Sequence, residues 1–402
     1  MTETTPFSDG ASSPLCGLRV LDLSRLAAGN MLTHMLADFG ADVIKVERPG
    51  IGDDLRRFGK HESWWKQYSR SKRSLSLNPR SEEGREVLLK LVKTADVFVE
   101  NFVPGTLEKW GIGPDVLMKT NPDLVIVRVS GWGQTGPYAH KPGFGSLIEG
   151  MSGFASMNGF ADREPLLPPL ALADMIAGLA GYGAVLAALR ARDQGLARGQ
   201  IVDLSLFEPL FSVLGPMATA FGIDGSIPKR SGNLGDVAAP RNVYKCSDGG
   251  YVAMSATMQS MWEKLAVAIE QPDLVKDPRF LTNPDRMENR AELETIVGAF
   301  FVQRTVEENL KYFEEREITV GPICDISDLM AHPYIQGRQV VKNYTDPDHG
   351  SLPMHNPFPR LSETPGTVRG PAPERGQNSD EILSEVGLTQ EQISLLRDNG
   401  VV

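Results

Sequence analysis

Cysteine is scarce in these 402 residues: Cys16, Cys246 and Cys324 stand far apart, odd in number and without metal-ligand spacing. That pattern excludes a disulfide framework and a zinc site, and no metal is expected. Also missing is an uninterrupted run of about 18 apolar residues, the length a membrane span needs. The opening Met1–Pro14 stretch is polar and turn-forming, with neither the basic nor the apolar segment of a secretory leader. The expectation is a cytoplasmic protein with no membrane partner. Positive charge is in deficit, the net charge being −10, which argues against nucleic acid as a partner. The turn Ser24-Arg25-Leu26-Ala27-Ala28-Gly29-Asn30 lacks the G-x-G-x-x-G spacing that lets a dinucleotide pyrophosphate approach the backbone, so a nicotinamide oxidoreductase is disfavoured.

What the chain does have is bulk and rhythm. With 41% of its residues hydrophobic, it can bury a large core and divide into two domains. Leu18–Leu23 reads as a strand, Asn30–Phe39 as a helix and Asp42–Val46 as a strand. Ser81–Thr94 reads as an amphipathic helix with acids in its first turn and lysines in its last, and Asp96–Glu100 and Leu124–Ser130 as buried strands. Such alternation predicts an α/β fold with a doubly wound, Rossmann-like parallel sheet, whose ligands bind beyond the carboxyl ends of the strands. That large domain is expected over 15–206, followed by a linker over 207–238. A smaller α+β domain is expected over 239–325, opening with strands Asn242–Cys246 and Tyr251–Ser255 and covered by helices Met258–Ile269, Arg290–Phe301 and Thr305–Arg316. Residues 326–355 read as a return linker, and 356–402 as a C-terminal segment rejoining the large domain, with helices Asp380–Val386 and Thr389–Asn399.

Two local features carry chemistry. Between Arg48 and Arg73 eight basic side chains face three acidic ones, an excess of +5 in an acidic chain; it suits an anionic ligand such as phosphate, or a solvated basic face. Asp174 stands at the mouth of a helix rich in Gly178, Gly181, Gly183 and alanines. Glycine inside a helix costs about 1 kcal/mol against alanine, a cost that close approach of another backbone would justify. Asp174 reads as an N-cap, and the helix N-terminus favours the ionised carboxylate that an attacking aspartate requires.

Several segments together resemble the class III CoA-transferase family, which includes formyl-CoA:oxalate and carnitine CoA-transferases and α-methylacyl-CoA racemase. They are Gly17–Leu23, Gly40–Pro49, Ser71–Ser74, Glu100–Gly105, the Asp174 helix, and the ending Ser379–Leu383 with Asn399–Val402. The resemblance implies that CoA is exchanged as a co-substrate between an acyl-CoA and a small carboxylic acid, with Asp174 as the nucleophile that forms an anhydride and then an aspartyl-CoA thioester. It implies oxyanion donors from a glycine loop, here Gly232-Asn233-Leu234-Gly235. It also implies CoA contacts at Leu26, Ala28, Arg48, Leu77, Arg80, Asn101 and Phe102, with Lys109 in place of a family arginine, and an interlocked homodimer.

The racemases of this family pair a histidine in a Gly-His-Asp motif with the aspartate. Here the segment is Gly143-Phe144-Gly145, and phenylalanine moves no proton. His140 is nearby in sequence but outside the motif. Transferase is therefore the favoured reading, with a 2-methylacyl-CoA racemase or epimerase and an inactive CoA-binding protein as alternatives. Arg241, opening the small domain, is a candidate partner for the second carboxylate of a dicarboxylic acceptor.

Overall fold

The computed structural model describes residues 4–8, 13–235 and 237–402, so parts of the Met1–Pro14 opening lie outside the described residues. Six strands form one wholly parallel sheet: β1 (Arg19–Asp22), β2 (Asp42–Glu47), β3 (Arg73–Ser76), β4 (Val97–Glu100), β5 (Val125–Ser130) and β6 (Gln200–Ser205), in the order β3-β2-β1-β4-β5-β6. Their side chains alternate between two cores. Leu21, Ile44, Leu75, Phe98 and Ile126 face one layer with the Glu82–Val92 helix and the terminal helices Ser379–Glu385 and Gln390–Asp398. Val20, Val43, Val97, Val125 and Val127 face the other, with the Ala27–Asp38 and Leu172–Asp193 helices. A period of two with both faces apolar is what a sheet covered on both sides demands.

The strand order reverses between β1 and β4, where the chain leaves the sheet in opposite directions and opens a crevice. Two strands, β3 and β6, are missing from the sequence reading. Arg-Ser-Leu-Ser and the half-exposed Gln-Ile-Val-Asp-Leu-Ser lack the continuous apolar run of their neighbours.

Leu172–Asp193 is the one helix among the described residues long and apolar enough to cross a membrane, with a mean hydropathy of 1.7. The sequence criterion passed over it because Asp174 and Arg190 bound its unbroken apolar stretch. In this fold Gly178 lies against the Ala28 carbonyl and Met31, so close that an added Cβ would stand 2.8 Å and 2.6 Å from them, and Gly181 lies against Leu32 and Leu204. Gly178 thus has the backbone contact its sequence called for, whereas Gly183 faces open space.

Two compact units partition the chain: residues 1–154, 167–216 and 336–402 form the first, residues 155–166 and 217–335 the second. The segment read as a 207–238 linker contains helices Phe207–Val213 and Met217–Asp224 on either side of the division, and residues 155–166 go with the second unit. The second unit has an antiparallel sheet of β7 (Arg241–Lys245), β8 (Tyr251–Ser255) and β9 (Val320–Pro322), built around Trp262, Phe280, Phe301 and Phe313. Residues read as a return linker hold the hairpin β10 (Val341–Asp346) and β11 (Gly350–His355), part of the first unit.

Candidate active site

Two clefts of the first unit open at the carboxyl edge of its sheet. One, of about 590 Å³, is lined by Arg48 after β2, Leu77 and Arg80 after β3, and Trp110. The other, of about 1140 Å³, holds Asp174 with Leu26, Ala28, Asn101 and Phe144. Arg25 and Phe102 line both, so a single extended ligand can pass from one to the other.

The carboxylate of Asp174 is at the third position of its helix rather than at the cap, which is Ala171. The first-turn amide groups and the macrodipole still face it. The backbone N–H groups of Ala28 and of Asp174 itself serve the carboxylate. Burial nevertheless pushes its pKa up to about 6, with the Glu149 carboxylate as the second cause. Glu149 is 2% exposed and accepts the Ala173 N–H at 3.2 Å, so it is fixed beside Asp174 by the same helix turn. Gly145 makes room for the pair: a Cβ there would stand 2.7 Å from Asp174 Oδ2 and 3.7 Å from Glu149 Oε1. A half-buried carboxylate of raised pKa that opens to a cleft is a functional-site candidate, as a nucleophile or a proton carrier.

The walls are set by strand ends. Asn101 spends its side-chain amide on Arg25, donating to its carbonyl at 2.7 Å and accepting its N–H at 2.8 Å. This ties the turn after β4 to the turn after β1 across the switch point. Phe102 packs edge-on against Trp110, and Arg25 and Arg80 lie over those two rings. Arg48 is exposed at the mouth of the smaller cleft.

Residues 15–379 match the family model described as CoA-transferase family III. The chain belongs to that family. It is an acyl-CoA:carboxylate CoA-transferase by class, 37% identical over 97% of its length and 98% of the relative's to a succinyl-CoA--D-citramalate CoA-transferase of Chloroflexus aurantiacus. It is 33% identical to the succinyl-CoA:glutarate CoA-transferase of Mus musculus, covering 95% of this chain and 88% of that one. Among solved structures, a CAIB/BAIF family protein from Brucella suis superposes with a TM-score of 0.82 at 33% identity, covering 93% of this chain and 99% of its own.

Several other residues singled out in this CoA-transferase line neither cleft of the first unit. Lys109 is exposed at the end of the short Thr106–Lys109 helix and lines neither cleft. Gly232, Gly235 and Arg241 belong to the second unit. Gly232 has φ +66° and lies against the Phe160 ring, and its N–H is already donated to the Gly159 carbonyl at 2.9 Å. Local packing accounts for that glycine, and its N–H is not free to meet an oxyanion in this arrangement. The Gly235 carbonyl accepts from Arg290 at 2.9 Å. Arg241 is the exposed first residue of β7.

The basic stretch needs correction as a whole. Six of its eight cations are paired with carboxylates: Arg56 with Glu47, Arg57 with Asp54, Lys66 with Asp346, Arg70 with Asp38, Lys72 with Asp22 and Arg73 with Asp42. Most partners come from outside the window, so counting charges within it overstated the field. Of the eight, Arg48 and Lys60 are left. Conversely, His140 and Lys141 line the Asp174 cleft, and nothing in their local sequence marks them.

Proposed function

We propose that this enzyme moves CoA from a dicarboxylic acyl-CoA to a second dicarboxylate, with Asp174 as the covalent carrier. The observation that carries the reading is a half-buried carboxylate of raised pKa, opened to a cleft at the switch point of a family III fold. Asp174 attacks the donor thioester carbonyl, forming a mixed anhydride and expelling CoA thiolate. The thiolate attacks the aspartyl carbonyl, freeing the donor acid and leaving an aspartyl-CoA thioester. The acceptor carboxylate then attacks that carbonyl, and the released thiolate takes the acyl group and restores Asp174. Each step exchanges one acyl bond for another, so the thioester energy is kept without ATP.

CoA is the co-substrate in this reading. Its anionic end lies by Arg48 and Arg80, and its arm passes Phe102 toward Asp174. The relatives named above take succinyl-CoA with citramalate or glutarate, dicarboxylic on both sides. A second carboxylate needs a cation, and the Asp174 cleft supplies Lys141, whose ammonium rests 3.5 Å from the centre of the Tyr138 ring. We favour Lys141 for that role over Arg241.

The test is exchange of label between succinyl-CoA and free succinate, glutarate or malate. Asp174→Ala should abolish exchange while still binding CoA, and hydroxylamine added during turnover should modify a peptide containing Asp174. Exchange by the alanine variant at more than about a hundredth of the wild-type rate would end this reading. One observation keeps racemisation in view, the presence of His140 in the Asp174 cleft; solvent deuterium entering the α-carbon of a 2-methylacyl-CoA would support it.

A further inference from the structure

Leu26 has φ 60° and ψ −142°, a combination that essentially belongs to glycine and costs a side-chain-bearing residue roughly 1–3 kcal/mol. It caps the Ala27–Asp38 helix and no side chain of its own supports that cap. Such strain persists where the surroundings over-determine it. Here they do. Asp53, 2% exposed, accepts the Leu26 N–H at 3.0 Å through Oδ1. Its Oδ2 accepts from Asn30 Nδ2 at 2.8 Å, and the same Asn30 nitrogen donates to the Leu26 carbonyl at 2.8 Å. The N–H of the strained residue is therefore tethered to one buried carboxylate directly, and its carbonyl through Asn30. Lys45 fixes that carboxylate in turn, its ammonium lying 2.8 Å from Asp53 Oδ2 and 3.2 Å from Asp22 Oδ1.

Two residues beyond the strained turn, the Ala28 N–H meets the Asp174 carboxylate. From the distances above we infer that Asp53 is a positioning residue for the transfer reaction: through Leu26 it aims the Ala28 N–H at Asp174. Asp53 touches no reacting atom in this reading. A buried Asp–Lys pair is a poor source of net stability, since desolvation offsets most of the Coulomb gain, so its chief effect here is the geometry it imposes on Leu26.

The inference rests on Asp174 being the nucleophile. The charged groups around the link are Glu149 beside Asp174, Arg25, His140 and Lys141 in the same cleft, and Lys45, Asp22, Lys72 and Glu47 around Asp53. In Asp53→Asn the side chain keeps its shape but turns an amide toward Lys45 and Asn30, and the hold on Leu26 weakens. The expected result, per active site counted by hydroxylamine trapping, is a kcat about ten- to a hundredfold lower with KM for acyl-CoA changed less than about threefold. The acid limb of kcat should also move to higher pH, because the Asp174 carboxylate loses a donor, and a crystal structure should show Leu26 relaxed to negative φ. A variant with wild-type kcat per site, or with lower kcat but an unmoved limb, would overturn the inference. If Asp53→Asn does not fold, Asn30→Ala, which removes the Leu26 carbonyl tether and leaves Asp53, should show the same limb shift in smaller measure; an unmoved limb there is equally fatal. Full activity of Asp174→Ala would instead remove the reading beneath it.

Discussion

Glu149 and Asp174 divide the electrostatics of the site between them. In the proposed mechanism Asp174 attacks as a carboxylate, and with a pKa of about 6 it is protonated below that pH. Transfer should therefore fall as pH drops through about 6; a carboxyl of that pKa is about one-tenth ionised at pH 5. Glu149→Gln removes the neighbouring negative charge and keeps an acceptor for the Ala173 N–H. The sign follows: the ionised nucleophile becomes easier to form, the limb moves to lower pH, and the variant should outpace the wild type at pH 5 relative to their rates at pH 8. A pH profile of kcat checks it, and a limb that stays or rises would show that Glu149 does not act on Asp174 through charge. At this scale the family resemblance singled out Asp174, Arg48 and Phe102, and the structure has all three in the walls of the two clefts. Glu149 stood in plain view without a local sign of its role, because its contact with Asp174 exists only once two helices have packed.

The glycines of the Leu172–Asp193 helix show how an element's sequence mixes requirements. Gly178→Ala gains about 1 kcal/mol of helix propensity. It also drives a Cβ against the Ala28 carbonyl and Met31, an overpacking that costs typically about 1–3 kcal/mol. The net should be a lower unfolding midpoint and, because Ala28 is the group displaced, lower activity. Gly183→Ala meets nothing and should stabilise by up to about 1 kcal/mol with activity unchanged. Urea denaturation of both variants distinguishes them, and equal shifts would mean that the helix crossing tolerates a methyl group. The elements with strong period, such as β2 and the Arg290–Phe301 helix, were readable to within a residue or so. Short polar β3 was not, since its place comes from parallel pairing with β2 and the burial of Leu75, and pairing between distant residues leaves no pattern in a local window.

Across the whole molecule, the buried cations between Arg56 and Arg73 face carboxylates at close range while Arg48 faces water. Exposed charges lose their reach as ions are added, the screening length falling from about 10 Å at 0.1 M to about 3 Å at 1 M, whereas buried pairs are screened far less. One basic segment therefore contains two populations of charge that a salt titration separates. Raising sodium chloride from 0.05 to about 0.5 M should weaken acyl-CoA binding several-fold and leave the melting temperature within about 2 °C, and Arg48→Ala should flatten the salt dependence of binding. Parallel losses of affinity and melting temperature would mean that the paired cations also face the ligand. Ionic strength becomes a practical control: the fold can be studied in brine, while the reaction is best measured in dilute buffer.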